Sequence, residues 1–137
     1  MRKNNTIFRK LGVGFTLIEV LIVVIIVGIL LSLAIPIYTK NIEKSKTGEA
    51  AATLNLIRMA EKDYFLDNQT YTIDFSSLNM DNPNDIASAN RSFDYTIPTG
   101  NATGFTATAT RKDGPYTGDY YTIDQTGGIT NNGHFQL

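Results

Sequence analysis

The hydrophobic pattern divides the chain into three stretches with different periods. From Phe15 to Ile35 nearly every position is apolar, and Glu19 is the single charge in those twenty-one residues. At about 1.5 Å of rise per residue, a helix of this length spans roughly 30 Å, the thickness of a bilayer's hydrocarbon core. A surface helix of a soluble domain keeps a polar face, and this run has none. From Tyr38 to Leu66 the period becomes helical. Ala50, Leu54, Ile57, Ala60, Tyr64 and Phe65 fall on one face, and Lys40, Glu43, Lys44, Lys46, Glu49, Arg58 and Lys62 supply the polar positions. After residue 92 the period becomes two: Phe93-Tyr95-Ile97, Phe105-Ala107-Ala109 and Tyr121-Ile123 alternate with polar residues.

These periods predict an α+β fold, with a long N-terminal helix, membrane-embedded in its first half, packed on a small antiparallel β-sheet head. The expected divisions are a leader at 1–14, a transmembrane helix at 15–37 and a head at 38–137. Within the head, 38–66 is an amphipathic helix, 67–92 a connecting loop and 93–137 the strands. Asp67-Asn68 ends the helix. Tyr71, Ile73, Phe75, Leu78 and Met80 anchor the connector. Pro98-Thr99-Gly100-Asn101 and Asp113-Gly114-Pro115 supply turns between strands, and Gly127-Gly128 leads to a short return at Ile129-Thr130. Pro36 lies inside the helix, where it removes one backbone donor and is expected to kink it.

Glu19 carries the first chemical question. An ionised carboxylate at the centre of a membrane helix costs about 2.5–3.5 kcal/mol on insertion scales, and less near an end. One reading is that Glu19 snorkels to the interface. The other is that it waits for a cation, which a cut just before Phe15 would create as a new α-amino group. Gly14-Phe15-Thr16-Leu17-Ile18-Glu19, preceded by Arg2, Lys3, Arg9 and Lys10 and followed by the unbroken apolar run, resembles the processing site of type IV pilins and type II secretion pseudopilins.

The resemblance is specific through about Lys46. It implies that a membrane-embedded prepilin peptidase cuts after Gly14 and methylates the new N-terminal Phe15. It implies that Glu19 docks on the Phe15 amine of a neighbouring subunit. It also implies that Gly28, Ser32 and Pro36 mark a segment able to lose helical order in the filament. The partners implied are copies of the chain itself, minor pilins, the prepilin peptidase/methyltransferase, an inner-membrane assembly platform and membrane lipid. The expected location is the inner membrane as a single-pass precursor, then an extracellular pilus or a periplasmic pseudopilus. Three alternatives remain: a secretion pseudopilin, a membrane-anchored binding protein that never polymerises, and an ordinary secretory signal ending near Ser32-Leu33-Ala34. The length of the apolar run and the charge within it argue against the last.

Composition narrows the chemistry. From Phe15 onward, eight Lys or Arg face thirteen Asp or Glu, a formal charge of −5, so no specific nucleic-acid partner is expected. Cysteine is absent, and the head must hold together by its own core. Only one histidine occurs, His134, read as a solvated tail residue. No catalytic set is apparent and an enzyme is not expected. No cofactor is expected either, although Asp113 and Asp119 bracket a Gly-Pro loop and are weak candidates for calcium. Asn68-Gln69-Thr70, Asn90-Arg91-Ser92 and Asn101-Ala102-Thr103 match the glycosylation pattern, and the seven tyrosines are accounted for by packing and strand propensity.

Overall fold

The computed structural model describes residues 14–85 and 91–135. Most of the expected leader, and Asn90 of the second glycosylation match, lie outside the described residues. The chain divides into two units, Met1–Thr39 and Lys40–Leu137. Its elements are a helix α1 (Leu17–Asn68), a 3-10 turn at Phe75–Ser77, and four strands: β1 (Phe93–Gly100), β2 (Phe105–Arg111), β3 (Tyr120–Asp124) and β4 (Ile129–Asn131). The first unit contains the apolar part of α1. Its window of highest hydropathy meets the length and composition needed to cross a membrane, with none of it buried.

In the second unit the helix ends where Asp67-Asn68 predicts. Gln69 takes a left-handed conformation at φ 56°, strained for a residue with a side chain. It is held there by its own N–H, which donates to the Phe65 carbonyl at 2.9 Å, and by its side-chain amide, which reaches the Leu66 carbonyl at 3.3 Å. The helix buries Thr47, Ala50, Leu54, Ile57, Ala60 and Glu61. The apolar members form one core with Phe93, Tyr95, Ile97, Phe105, Ala107, Ala109, Tyr121 and Ile123, the inward positions of the strands. The sheet is an antiparallel meander in the order β1-β2-β3-β4. Tyr71, Phe75, Leu78 and Met80 pack on this core as the connector reading expects.

Two expectations need correction. Pro98-Thr99-Gly100 is not a turn but the end of β1, and the chain reverses at Asn101–Gly104. The register of β1 against β2 shifts between Thr96 and Thr99, which accommodates a proline that has no N–H to give. Gly100 is needed for a different reason: a Cβ there would lie 2.4 Å from the Thr72 carbonyl oxygen. Ile73 is not an anchor, being 63% exposed. The Asp74 side chain caps the 3-10 turn by accepting from Ser76 N–H at 2.9 Å. That turn breaks the alternation and carries Phe75, not Ile73, to the core.

The turns between β1 and β2 and between β3 and β4 use the same chemistry. Asn101 Oδ1 accepts from the Thr103 N–H and hydroxyl and the Gly104 N–H, and Asp124 Oδ1 accepts from Thr126 and Gly127 in the same way. The free edge of β1 is covered by Asn84, whose amide donates to the Tyr95 carbonyl at 2.8 Å and accepts from the Tyr95 N–H at 3.0 Å, blunting an edge that would otherwise pair with another chain.

Candidate functional site

The first site is the start of α1. Phe15 is 82% exposed, and the apolar side chains from Leu17 to Ile37 face outward on every side of the helix. Thr16 and Glu19 form a reciprocal cap. The Glu19 N–H donates to Thr16 Oγ1 at 3.3 Å, and Glu19 Oε2 accepts from the Thr16 N–H at 3.4 Å and its hydroxyl at 3.5 Å. These two residues stand in the Thr-x-x-Glu spacing of a capping box, a role for Glu19 that neither the snorkelling nor the docking reading included. Among the described residues no cation pairs with Glu19. Gly28, Ser32 and Pro36 all lie within continuous helix. The Ser32 hydroxyl donates to the Ile29 carbonyl at 2.7 Å, and the Thr39 hydroxyl reaches the Pro36 carbonyl at 3.0 Å.

The second site is a set of charges built into the head. Arg111 continues the inward column of β2 and is buried. Its Nη2 lies 3.2 Å from Glu43 on α1 and 3.4 Å from Asp113, its Nη1 donates to the Ser92 carbonyl at 2.9 Å, and its guanidinium sits 5.4 Å from the centre of the Phe93 ring. Glu43 also holds Lys46 at 3.1 Å. Each calcium candidate already has a side-chain partner: Asp113 lies beside the Arg111 guanidinium, and Asp119 beside the His134 ring. Among the described residues no three His, Cys, Asp or Glu are grouped to hold a metal.

His134 departs from the reading of a merely solvated tail. Its ring is 66% exposed, yet Nδ1 lies 2.9 Å from Asp119 Oδ2 and the His134 N–H donates to the same carboxylate at 2.9 Å. Burial pushes the Asp119 carboxyl up, but the bonds from His134 outweigh it and its pKa is lowered. The Tyr116 ring packs 5.0 Å from both His134 and Phe135, and Tyr121 OH donates to the Phe135 carbonyl at 3.1 Å. In a chain with no cysteine, these contacts fasten the C-terminal segment to the sheet.

Glu61 was not anticipated. Its side chain is 0% exposed, Oε2 accepts from the Thr72 N–H at 3.1 Å, and Oε1 has no hydrogen-bond partner among the described residues. Burial raises its pKa, and the Thr72 N–H opposes this more weakly. An unfolded Glu61 loses its proton near 4.5, the folded one at higher pH. Between those values the folded state binds more protons, so stability falls as pH rises through the window and levels above it. Wild type is expected to lose stability from this residue as pH rises from 4.5 through the window. Glu61→Gln keeps an acceptor for Thr72 and cannot ionise. Urea melts across pH should show the slope flattened in this variant, and an unchanged slope would assign it to other groups.

A family model described as type IV minor pilin ComP, DNA uptake sequence receptor, matches residues 36–120. The chain belongs to this type IV pilin family. The chain is similar to the type IV major pilin protein PilA of Myxococcus xanthus, 44% identical over 70 residues, which are 51% of this chain and 31% of that one. It is also similar to the type II secretion system core protein G of Aeromonas hydrophila, 41% identical over 58 residues, 42% of this chain and 41% of that one. The chain thus spans less than half the length of these curated relatives. The minor pilin PilV of Neisseria meningitidis has the same fold, with a TM-score of 0.51 at 19% identity, covering 71% of this chain and 93% of that one. Pilin relatives and pseudopilin relatives therefore meet on one chain, and the apolar helix of this pilin fits a membrane anchor.

Proposed function

We propose that this pilin is a structural subunit of a type IV pilus-like filament. It enters the inner membrane as a precursor, is cut between Gly14 and Phe15, is methylated on the Phe15 amine and polymerises through α1. The observation that carries this reading is a helix apolar on all sides, starting two residues after an exposed Phe15, with one carboxylate, Glu19, four residues after Phe15. Such a helix needs an apolar environment, first lipid and then copies of itself. Glu19 needs a cation there, and cleavage places one at Phe15. Mass spectrometry of the purified protein should find a chain beginning at Phe15 with one added methyl group. A chain beginning at Met1 or at Ile35 would overturn the reading.

A pseudopilus of a type II secretion system uses the same helix chemistry and is the nearest alternative. A second reading comes from the matched family's description, DNA capture by the head. Residues 38–137 hold eight Lys or Arg against twelve Asp or Glu. Arg111 is buried, and Arg58 is spent on the Gln125 and Thr126 carbonyls. Phosphate binding rests on cations free to replace counterions, so the structural role is preferred. The purified protein is expected to leave duplex DNA unshifted at physiological salt. A shift that weakens steeply with salt would favour DNA capture.

A further inference from the structure

On the head, α1 and the connector leave an apolar groove of about 310 Å³, floored by Leu56, Met59 and Met80 and rimmed by Asp63 and Asp81. Leu56 is 57% and Met59 61% exposed, although α1 buries its other face. Neither aspartate holds a cation among the described residues. Near the other end of the same helical stretch, Lys40 and Lys44 are exposed and equally without an anion among the described residues. They stand four apart and so share one side of the helix.

We infer that this groove is a docking surface for a second copy of the chain, which seats its Lys40–Lys44 turn there, ammonium groups on Asp63 and Asp81 and aliphatic stems over Leu56 and Met59. The occupant follows from charge and from position. About 28 Å of helix axis separates Lys44 from Asp63, and a helix cannot fold back to join them. The two patches can meet each other only between molecules. They are different patches at opposite ends, so each copy offers one and receives the other. Such a head-to-tail contact does not close into a dimer of self-matching faces, and it continues as a ring or an open helical array. Exposed ion pairs are individually worth about 0–1 kcal/mol. The apolar floor, the long lysine stems and repetition along an array make the contact count. The inference rests on the filament reading and supplies the head contacts it lacks.

The absence of native cysteine makes the test clean. The full-length protein carrying Lys44→Cys and Asp63→Cys is treated in cells with a short thiol-reactive cross-linker. Lys44→Cys with Thr130→Cys, the latter exposed on β4, serves as the control pair. A ladder of dimers, trimers and longer species is expected from the first pair and not from the control. Filaments with no ladder above control overturn the docking surface and leave the filament reading standing. A ladder without filaments upholds the docking surface and overturns the filament, and absence of both overturns both. Charge exchange is the second measurement. Lys40→Asp with Lys44→Asp should lower filament yield about tenfold or more, as loss of roughly 1.4 kcal/mol of contact energy would. Adding Asp63→Lys and Asp81→Lys should restore most of it. Unchanged yield in the first variant, or no recovery in the second, counts against the inference.

Discussion

Glu19→Ala is expected to abolish filaments while leaving the precursor inserted and cut before Phe15. In a bundle of apolar helices the Glu19 carboxylate has no water, and a charged partner removed from such a pair costs about 2–5 kcal/mol. That is roughly two orders of magnitude or more in the equilibrium for adding a subunit. Capping offers a competing explanation, since Glu19 also closes the first turn of α1 with Thr16. Glu19→Gln separates the two. Glutamine serves in a capping box as glutamate does, but it carries no charge for an amine. Loss of filaments in the glutamine variant places the effect on charge. Normal filaments in that variant, with loss only in the alanine variant, would place it on the cap and remove the docking role. Sheared surface protein and electron microscopy read the outcome, and mass spectrometry checks the cut.

Arg111→Ala should give the largest loss of stability in the head. The guanidinium joins α1 through Glu43, the start of β1 through the Ser92 carbonyl, and the loop after β2 through Asp113. Breaking a buried pair by removing one partner costs about 3–5 kcal/mol. Lys46 remains beside Glu43 and limits the loss to the lower part of that range. For a head of this size the melting temperature should fall by roughly 12 °C or more. Arg111→Met keeps much of the volume and should recover part of the loss, since an apolar replacement fills the space beside Phe93. If alanine and methionine variants both melt as wild type, the buried ion pair does not hold the helix on the sheet. Thermal melts of the purified protein in detergent decide this.

The fold was legible wherever a period ran long enough to be read. The apolar run after Gly14, the helical spacing of Ala50, Leu54 and Ile57, and the alternation in the three principal strands each name one element and one buried face. Pro98-Thr99-Gly100 misled because turn residues also serve bulges and close backbone approaches. What decides between these uses is Thr72, 28 positions earlier in the chain and pressed against Gly100. Ile73 misled because hydrophobicity alone does not say which way an irregular segment points. Glu61 and His134 depend on partners 11 and 15 residues away in sequence, and no local pattern announces such pairs. Arg111 was more accessible, since the column Phe105, Ala107, Ala109 extends to it by the same step of two.

The assembly site shows the same division. Thr16 and Glu19 can be paired by spacing alone, and the proposed cut site rests on its resemblance to processed pilins. The docking surface proposed for the head rests on charges left unpaired after folding, which only the folded arrangement displays.

Cryo-electron microscopy of sheared filaments tests the central claim most directly. The claim requires α1 helices bundled along the filament axis, each chain beginning at Phe15, with every Glu19 carboxylate within hydrogen-bond reach of a neighbour's Phe15 amine. Residues 28–36, helical in the single chain, are expected to be extended in that map, because glycine and proline weaken the helix there and neighbouring subunits cover the released backbone. Continuous helix through Pro36 would contradict that local expectation. Filaments whose core is built from another protein, or in which Glu19 faces lipid or solvent with no amine beside it, would contradict the account itself.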